Sequence, residues 1–186
     1  MKAILVALPS ELNNIDSLGE YKVFYTGVGK VNAAAVACEA IFKHGATEIV
    51  NFGTAGAVNK KHSGLVRPDV IIQRDMLAEP QAPRGYTPFD ESKFSGAIVS
   101  MQADTNVTLG TGDSFVMAPD PWFKYANVDI VDMEAYAIAK ICGLYGITFT
   151  CYKWVSDYAD ENAAETWVEN QSAGAKAFIK EIESWM

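Results

Sequence analysis

The chain alternates short apolar runs with stretches of helical periodicity, and most of the apolar runs end in small or acidic residues. Residues 2–8 (KAILVAL) read as a buried-type strand, followed by Pro9-Ser10 and then Glu11. Residues 21–25 form a second strand, ending in Thr26-Gly27-Val28-Gly29. A helix is expected over 30–43, carrying Val31, Ala35, Cys38 and Phe42 on one face, with Gly45 stopping it. Residues 48–52 give a third strand that closes in Gly53-Thr54-Ala55-Gly56, and further strands are expected at 69–73 and 96–101. Ile130 and Val131 end another strand, and Glu134 opens a helix with Ile138, Ile141, Cys142 and Tyr145 at helical spacing. The strand over 147–155 runs into Ser156-Asp157. A last helix is expected from about Asn162, with Glu165 completing a capping box and Trp167, Val168, Gln171, Ala175, Phe178, Ile182 and Trp185 on its inner face. Such alternation specifies an α/β fold: three layers, α/β/α, around a central twisted sheet that is mostly parallel or mixed.

With 186 residues and 49% hydrophobic content, residues 1–186 suffice for a single domain with a full-sized core. The segment 59–93 is the least regular, holding Pro68, Pro80, Pro83 and Pro88 and one short strand. Long loops of this kind inside a compact domain carry function or pack on a partner. Fifteen basic against 23 acidic residues, a net charge of −8, argue against a nucleic-acid surface. The apolar runs are far short of a membrane span, and no charged-then-apolar segment opens the chain. Cys38, Cys142 and Cys151 lie in apolar elements without metal spacing and read as reduced core cysteines, so a cytoplasmic location is expected. His44 and His62 offer little for metal binding; no metal or cofactor is expected, and the partner sought is a small neutral or cationic molecule.

Open α/β sheets bind ligands at the carboxyl ends of their strands. Four such ends carry chemistry here: Glu11, Thr54-Ala55-Gly56, Asp132 with Glu134, and Ser156-Asp157. The Gly27–Gly29 pair is a weak dinucleotide signal, because position 32 is Asn32 rather than a third glycine. Carboxylates at strand ends without a cation cluster suit a reaction with a positively charged transition state. Glycosyl transfer is one, since an oxocarbenium ion develops at the sugar. Singly, each residue also has a plain structural reading. Asp132 and Glu134 would complement a helix dipole, Glu11 and Asp157 would be solvated loop acids, and Phe115 would be a core aromatic.

The ordered motifs go further. Ala7-Leu8-Pro9-Ser10-Glu11, Thr26-Gly27-Val28-Gly29-Lys30-Val31 and Asn51-Phe52-Gly53-Thr54-Ala55-Gly56 are followed by Gly112-Asp113-Ser114-Phe115, Val131-Asp132-Met133-Glu134-Ala135 and Ser156-Asp157. In this order they resemble the nucleoside phosphorylase/nucleosidase superfamily, and within it the 5′-methylthioadenosine/S-adenosylhomocysteine nucleosidases. The resemblance implies a nucleoside phosphorylase-like fold and no cofactor. It makes Glu11 the base that activates water, Asp157 the acid that protonates N7, with Ser156 beside it, and Glu134 the residue holding ribose hydroxyls near the cationic sugar. Met133 would pack under the ring, with Asp132 adjacent. Phe115 would stack on the base while the Val116 backbone reads its polar edge, and Thr54, Ala55 and Gly56 would line the ribose and water site. Trp167 would close over the base or simply pack in the core.

In the resembling phosphorylases an arginine stands three residues before the Ser/Thr of the Gly-Thr turn, where this chain has Asn51. Water is therefore the expected acceptor, and the expected activity is hydrolysis of a purine nucleoside, most naturally a 5′-modified adenosine. A phosphorylase, a nucleosidase for another purine nucleoside and an inactive nucleoside-binding module are the alternatives. The departures are a shorter chain, a first hairpin reduced to the strand at 21–25, Asp132 for the commoner glutamate, Lys153 for an arginine and an unfamiliar stretch over 74–89. Lys30 reads as a solvated helix start and Arg74-Asp75 as a surface ion pair. The resemblance implies a homodimer; here the helix over 31–42 or the 80–89 segment is the expected contact, and the rings of Trp122, Phe123 and Tyr125 either need a partner to cover them or complete the core of a monomer.

Overall fold

The computed structural model describes residues 1–99, 105–118 and 120–185. Five central pairings of the sheet are parallel. The strand β1 (Lys2–Val6) runs parallel to β3 (Tyr21–Tyr25) on one side and to β4 (Glu48–Ala57) on the other. β10 (Thr148–Asp157) follows β4 along its opposite edge, and β8 (Thr108–Thr111) lies between β6 (Val70–Gln73) and β9 (Ile130–Asp132). Four antiparallel pairings make the sheet mixed: β4 with β9, β10 with β5 (Gly64–Val66), β6 with β7 (Ile98–Val99), and β3 with β2 (Ser17–Leu18). The first hairpin is thus retained in a minimal form rather than reduced to one strand. The 59–93 segment supplies two short strands, not one. Of the strand expected at 96–101, only Ile98–Val99 falls within the described residues.

Alternation along each strand sends side chains to two cores. Ala3, Leu5 and Ile49 pack against the helices α1 (Lys30–Phe42) and α3 (Ala135–Tyr145). Ile4, Val6, Val50 and Phe52 face α5 (Gly174–Glu183), where Phe178 stacks on Phe52 at 4.1 Å between centroids. This is the expected three-layer α/β/α arrangement.

Two helices differ from their sequence reading. In α1 the buried residues are Ala33, Ala37 and Ala40, while Val31 is 80% and Phe42 64% exposed. The helix is apolar nearly all round, so hydrophobicity does not choose a face; small side chains do, because they let the helix sit close on the sheet. Glycine ends it as expected: Gly45, at φ +69, donates to Ile41 O and the next amide, Ala46 N, reaches Ala40 O. The last expected helix is two helices, α4 (Ala163–Asn170) and α5, broken by a turn at Gln171-Ser172-Ala173. Asn162 makes no side-chain cap, so the capping box does not form. Ala175, Phe178 and Ile182 are buried as expected, but Val168, on the other side of the break, and Trp185, beyond the end of α5, are exposed. Of the three rings near 122–125, Phe123 is buried between strand ends and Tyr125 is exposed. No helix among the described residues is long and apolar enough to cross a membrane.

Candidate active site

The site begins where the sheet forks. Along one edge of β4, residues 48–51 pair with β1, whereas Gly56 and Ala57 pair with β9. Between these contacts the two neighbours diverge, leaving backbone amides of β4 to find other partners. The expected turn Gly53-Thr54-Ala55-Gly56 is instead strand, and the gap lies beside it. A 3₁₀ turn after β1, Pro9–Leu12, inserts Glu11 there: its Oε1 accepts Thr54 N and Thr54 Oγ1, both at 2.8 Å, and its Oε2 accepts Leu8 N at 3.0 Å. Trp167 extends the chain by donating Nε1–H to Thr54 Oγ1 at 2.9 Å. Glu11 is therefore a buried residue of the sheet edge, not a solvated loop acid.

The two carboxylates that open α3 divide the work. Asp132 caps the helix, its Oδ2 accepting Ala135 N at 2.8 Å and Glu134 N at 3.2 Å, while Thr111 Oγ1 donates to its Oδ1 at 2.5 Å. Asp132 also forms an ion pair with Lys153 at 2.8 Å, the two side chains 0% and 1% exposed. Burial opposes the charge on Lys153, yet Asp132, Cys151 and Glu134 together raise its pKa. Glu134 is released from capping and turns to the N-terminus of α1, accepting Gly29 N at 2.9 Å. Burial first, and Asp132 second, push the Glu134 carboxyl up to about 7, against the pull of Lys153.

The third carboxylate comes from a bulge. The β10–β4 register slips between Val155 and Asp157, which re-aims Asp157 toward the fork. Burial holds its carboxyl above the usual range, although Ala159 N (3.0 Å) and Ser156 Oγ (2.8 Å) donate to it. Gly56 is required opposite: a Cβ there would lie 2.7 Å from Asp157 Oδ1.

A cavity of about 380 Å³ connects these groups. Glu11, Thr54, Ala55, Gly56, Phe115, Val116, Asp132, Met133, Glu134, Asp157 and Trp167 all line it. Ser156 stands behind the wall and reaches the site through Asp157. Phe115 and Trp167 meet edge to face, 6.5 Å apart and inclined by 74°, so neither is a plain core aromatic.

Sequence reasoning placed two cations wrongly. Arg74 is buried and lines the cavity, donating to Gly110 O, Gly112 O and the hydroxyl and carbonyl of Ser114. Burial lowers its pKa. Lys30 is no free helix start: its ammonium binds Asp75 at 2.6 Å, and Asp75 also accepts Asp113 N at 2.8 Å. Val28, Leu8 and Val168 complete an apolar part of the cavity; the motifs contain Leu8 and Val28, but nothing in the sequence gives these three a place in the site. Asn51, by contrast, faces away, its amide donating to Leu5 O at 3.0 Å. The described residues hold no cluster of three His, Cys, Asp or Glu side chains able to take a metal ion, and Cys38, Cys142 and Cys151 are all free thiols.

The sequence model of the Phosphorylase superfamily matches residues 17–184. The chain belongs to this superfamily. Among curated superfamily members, the 5′-methylthioadenosine/S-adenosylhomocysteine nucleosidase of Bacillus cereus is 30% identical over 161 residues, covering 74% of this chain and 68% of the relative. Among solved structures, futalosine hydrolase of Helicobacter pylori overlays with a TM-score of 0.86 at 21% identity, covering 98% of this chain and 95% of that one. The 5′-methylthioadenosine/S-adenosylhomocysteine nucleosidase of the same organism, bound to butyl-thio-DADMe-Immucillin-A, overlays with a TM-score of 0.85 at 22% identity, covering 98% and 96%. At these identities the overlays show the fold alone.

Proposed function

We propose that the chain hydrolyses the N-glycosidic bond of purine nucleosides, with 5′-modified adenosines as its substrate class. The observation that carries this reading is the convergence of three buried carboxylates from three strand ends on one cavity. Asp157, whose carboxyl burial keeps protonated to higher pH, delivers a proton to N7 so that the purine leaves neutral. Glu134 faces the developing oxocarbenium ion and the ribose hydroxyls. Glu11, fixed at the fork by three donated hydrogen bonds, orients and deprotonates the attacking water. Phe115 and Trp167 enclose the base, and Met133 lies under the sugar. Binding in this cavity of nucleosidase inhibitors such as the one in the Helicobacter pylori structure would follow from the same fit.

Water as the acceptor is supported by where the cations go. Phosphate needs unspent donors beside the sugar. Lys153 is committed to Asp132, Arg74 to the 110–114 backbone, and Asn51 is turned into the sheet. Turnover of 5′-methylthioadenosine in ¹⁸O-labelled water tests this: label is expected on C1 of the released sugar, and an unlabelled sugar phosphate would overturn it.

A homodimer fits the exposed apolar surface, since Val31, Phe42 and Phe89 are 80%, 64% and 90% exposed. Contact through α1 or the 80–89 segment would cover them. Sedimentation at micromolar concentration checks it; a fully active species at the monomer mass of 20.2 kDa would refute it.

A further inference from the structure

Among the described residues, Arg74 is the one buried cation on the cavity wall, and the proposed chemistry leaves it without a task. Its Nε donates to Gly110 O at 3.2 Å and its Nη2 to Gly112 O at 3.0 Å, with a second Nη2 bond to Ser114 O. Its Nη1 donates to Ser114 Oγ at 3.0 Å. The partners are carbonyl and hydroxyl oxygens rather than a carboxylate, so the guanidinium acts here as a planar fork of donors. The backbone is shaped to receive it: a Cβ on Gly112 would lie 2.9 Å from Arg74 Cζ, and one on Gly110 3.4 Å from its Cδ. Arg74 is itself anchored, its carbonyl accepting Arg84 Nε at 2.7 Å, while Arg84 pairs with Asp120 at 2.6 Å and lies 4.3 Å over the Trp122 ring. The 110–114 stretch leads directly into Phe115 and Val116, the residues that meet the base in the hydrolase reading.

We propose that Arg74 is a positioning residue for the base: its guanidinium fixes the 110–114 backbone and thereby holds Phe115 and Val116 in the geometry that receives the purine. This rests on the hydrolase reading for its substrate but acts on binding rather than bond cleavage. Loss of the fork lets the wall relax before the base arrives, so binding must order it again.

The test measures adenine affinity by tryptophan fluorescence, and KM and kcat with 5′-methylthioadenosine, for Arg74→Met and Arg74→Lys. Arg74→Met removes all four donated bonds and is expected to raise the adenine Kd and KM about tenfold, since only the wall order that binding must restore is read in affinity, with kcat within about threefold. Arg74→Lys, which keeps charge but not the fork, is expected to recover only part of the loss. If Arg74→Met does not fold, Ser114→Ala removes the Nη1 acceptor alone and is expected to raise the adenine Kd about threefold. Unchanged Kd and KM, or a lower melting temperature with unchanged Kd, would overturn the assignment, as would a fall in kcat at constant KM. Should the wild type release no base at all, the hydrolase reading fails, while the adenine Kd series still decides the role of Arg74.

Discussion

Replacing Asp132 by asparagine isolates the buried charge pair beneath the site. The carboxylate and Lys153 are 2.8 Å apart and 0% and 1% exposed, so no solvent screens them. Asparagine keeps the shape and one acceptor oxygen, but leaves the ammonium buried with no opposite charge in contact. Breaking such a pair from one side costs about 3–5 kcal/mol, because the orphan charge has lost its solvation without compensation. The total stability of a domain is about 5–15 kcal/mol, so the loss is readily measured. Urea unfolding followed by circular dichroism is expected to show a lower midpoint at an unchanged slope. The companion variant Asp132→Asn/Lys153→Met removes both charges and is expected to be more stable than Asp132→Asn alone. Such non-additivity is the signature of a direct interaction. A single-variant loss below about 1 kcal/mol, or losses that simply add, would refute the assigned pair.

Asp157→Asn removes the proposed proton donor and is expected to lower kcat by about 10²–10⁴-fold with the melting temperature little changed; rates within a few-fold of wild type would make it a bystander. Glu11→Gln is expected to bind substrate without hydrolysing it, and crystals soaked with 5′-methylthioadenosine should hold the intact nucleoside, whereas free adenine in the site would count against Glu11 as the base. The Glu134 carboxyl, lifted from 4.5 to about 7, sets the pH dependence. In the proposed reaction its ionised form faces the cation, so kcat/KM is expected to fall as pH drops through about 7. The sign for stability is opposite: the folded protein holds this proton more tightly than the unfolded chain, so the contribution is full below 4.5 and is lost as pH rises through about 7. Glu134→Gln should remove that slope from a urea-midpoint series; an unchanged slope would contradict the raised value.

Much of the fold was legible because parallel strands buried on both faces are written as short apolar runs with abrupt ends. The ends at Glu11, Asp132 and Asp157 are legible as a set rather than singly: one acid after an apolar run is equally a helix-dipole partner or a solvated loop residue, and only their order along the chain with the glycine-rich segments marks them as a site. What could not be read depends on contacts between distant segments. The fork of β4 places Glu11 against Thr54, 43 positions away, and no local pattern encodes it. In sequence Arg74 and Asp75 look like a surface ion pair, whereas Asp75 binds Lys30 and Arg74 turns beneath Gly112. Asp132 and Lys153 each stood out singly as departures, and only the structure joins them into one buried pair. In α1, apolar residues on every side left alanine size, not hydrophobicity, to choose the buried face.

The central claim is bond cleavage by water, and the most direct measurement is release of free base from 5′-methylthioadenosine in the presence and absence of inorganic phosphate. Adenine and a reducing sugar are expected at the same rate in both, with Asp157→Asn slowed by about 10²–10⁴-fold in both. Adenine released only when phosphate is added, or no base released from a nucleoside that demonstrably binds, would contradict the account.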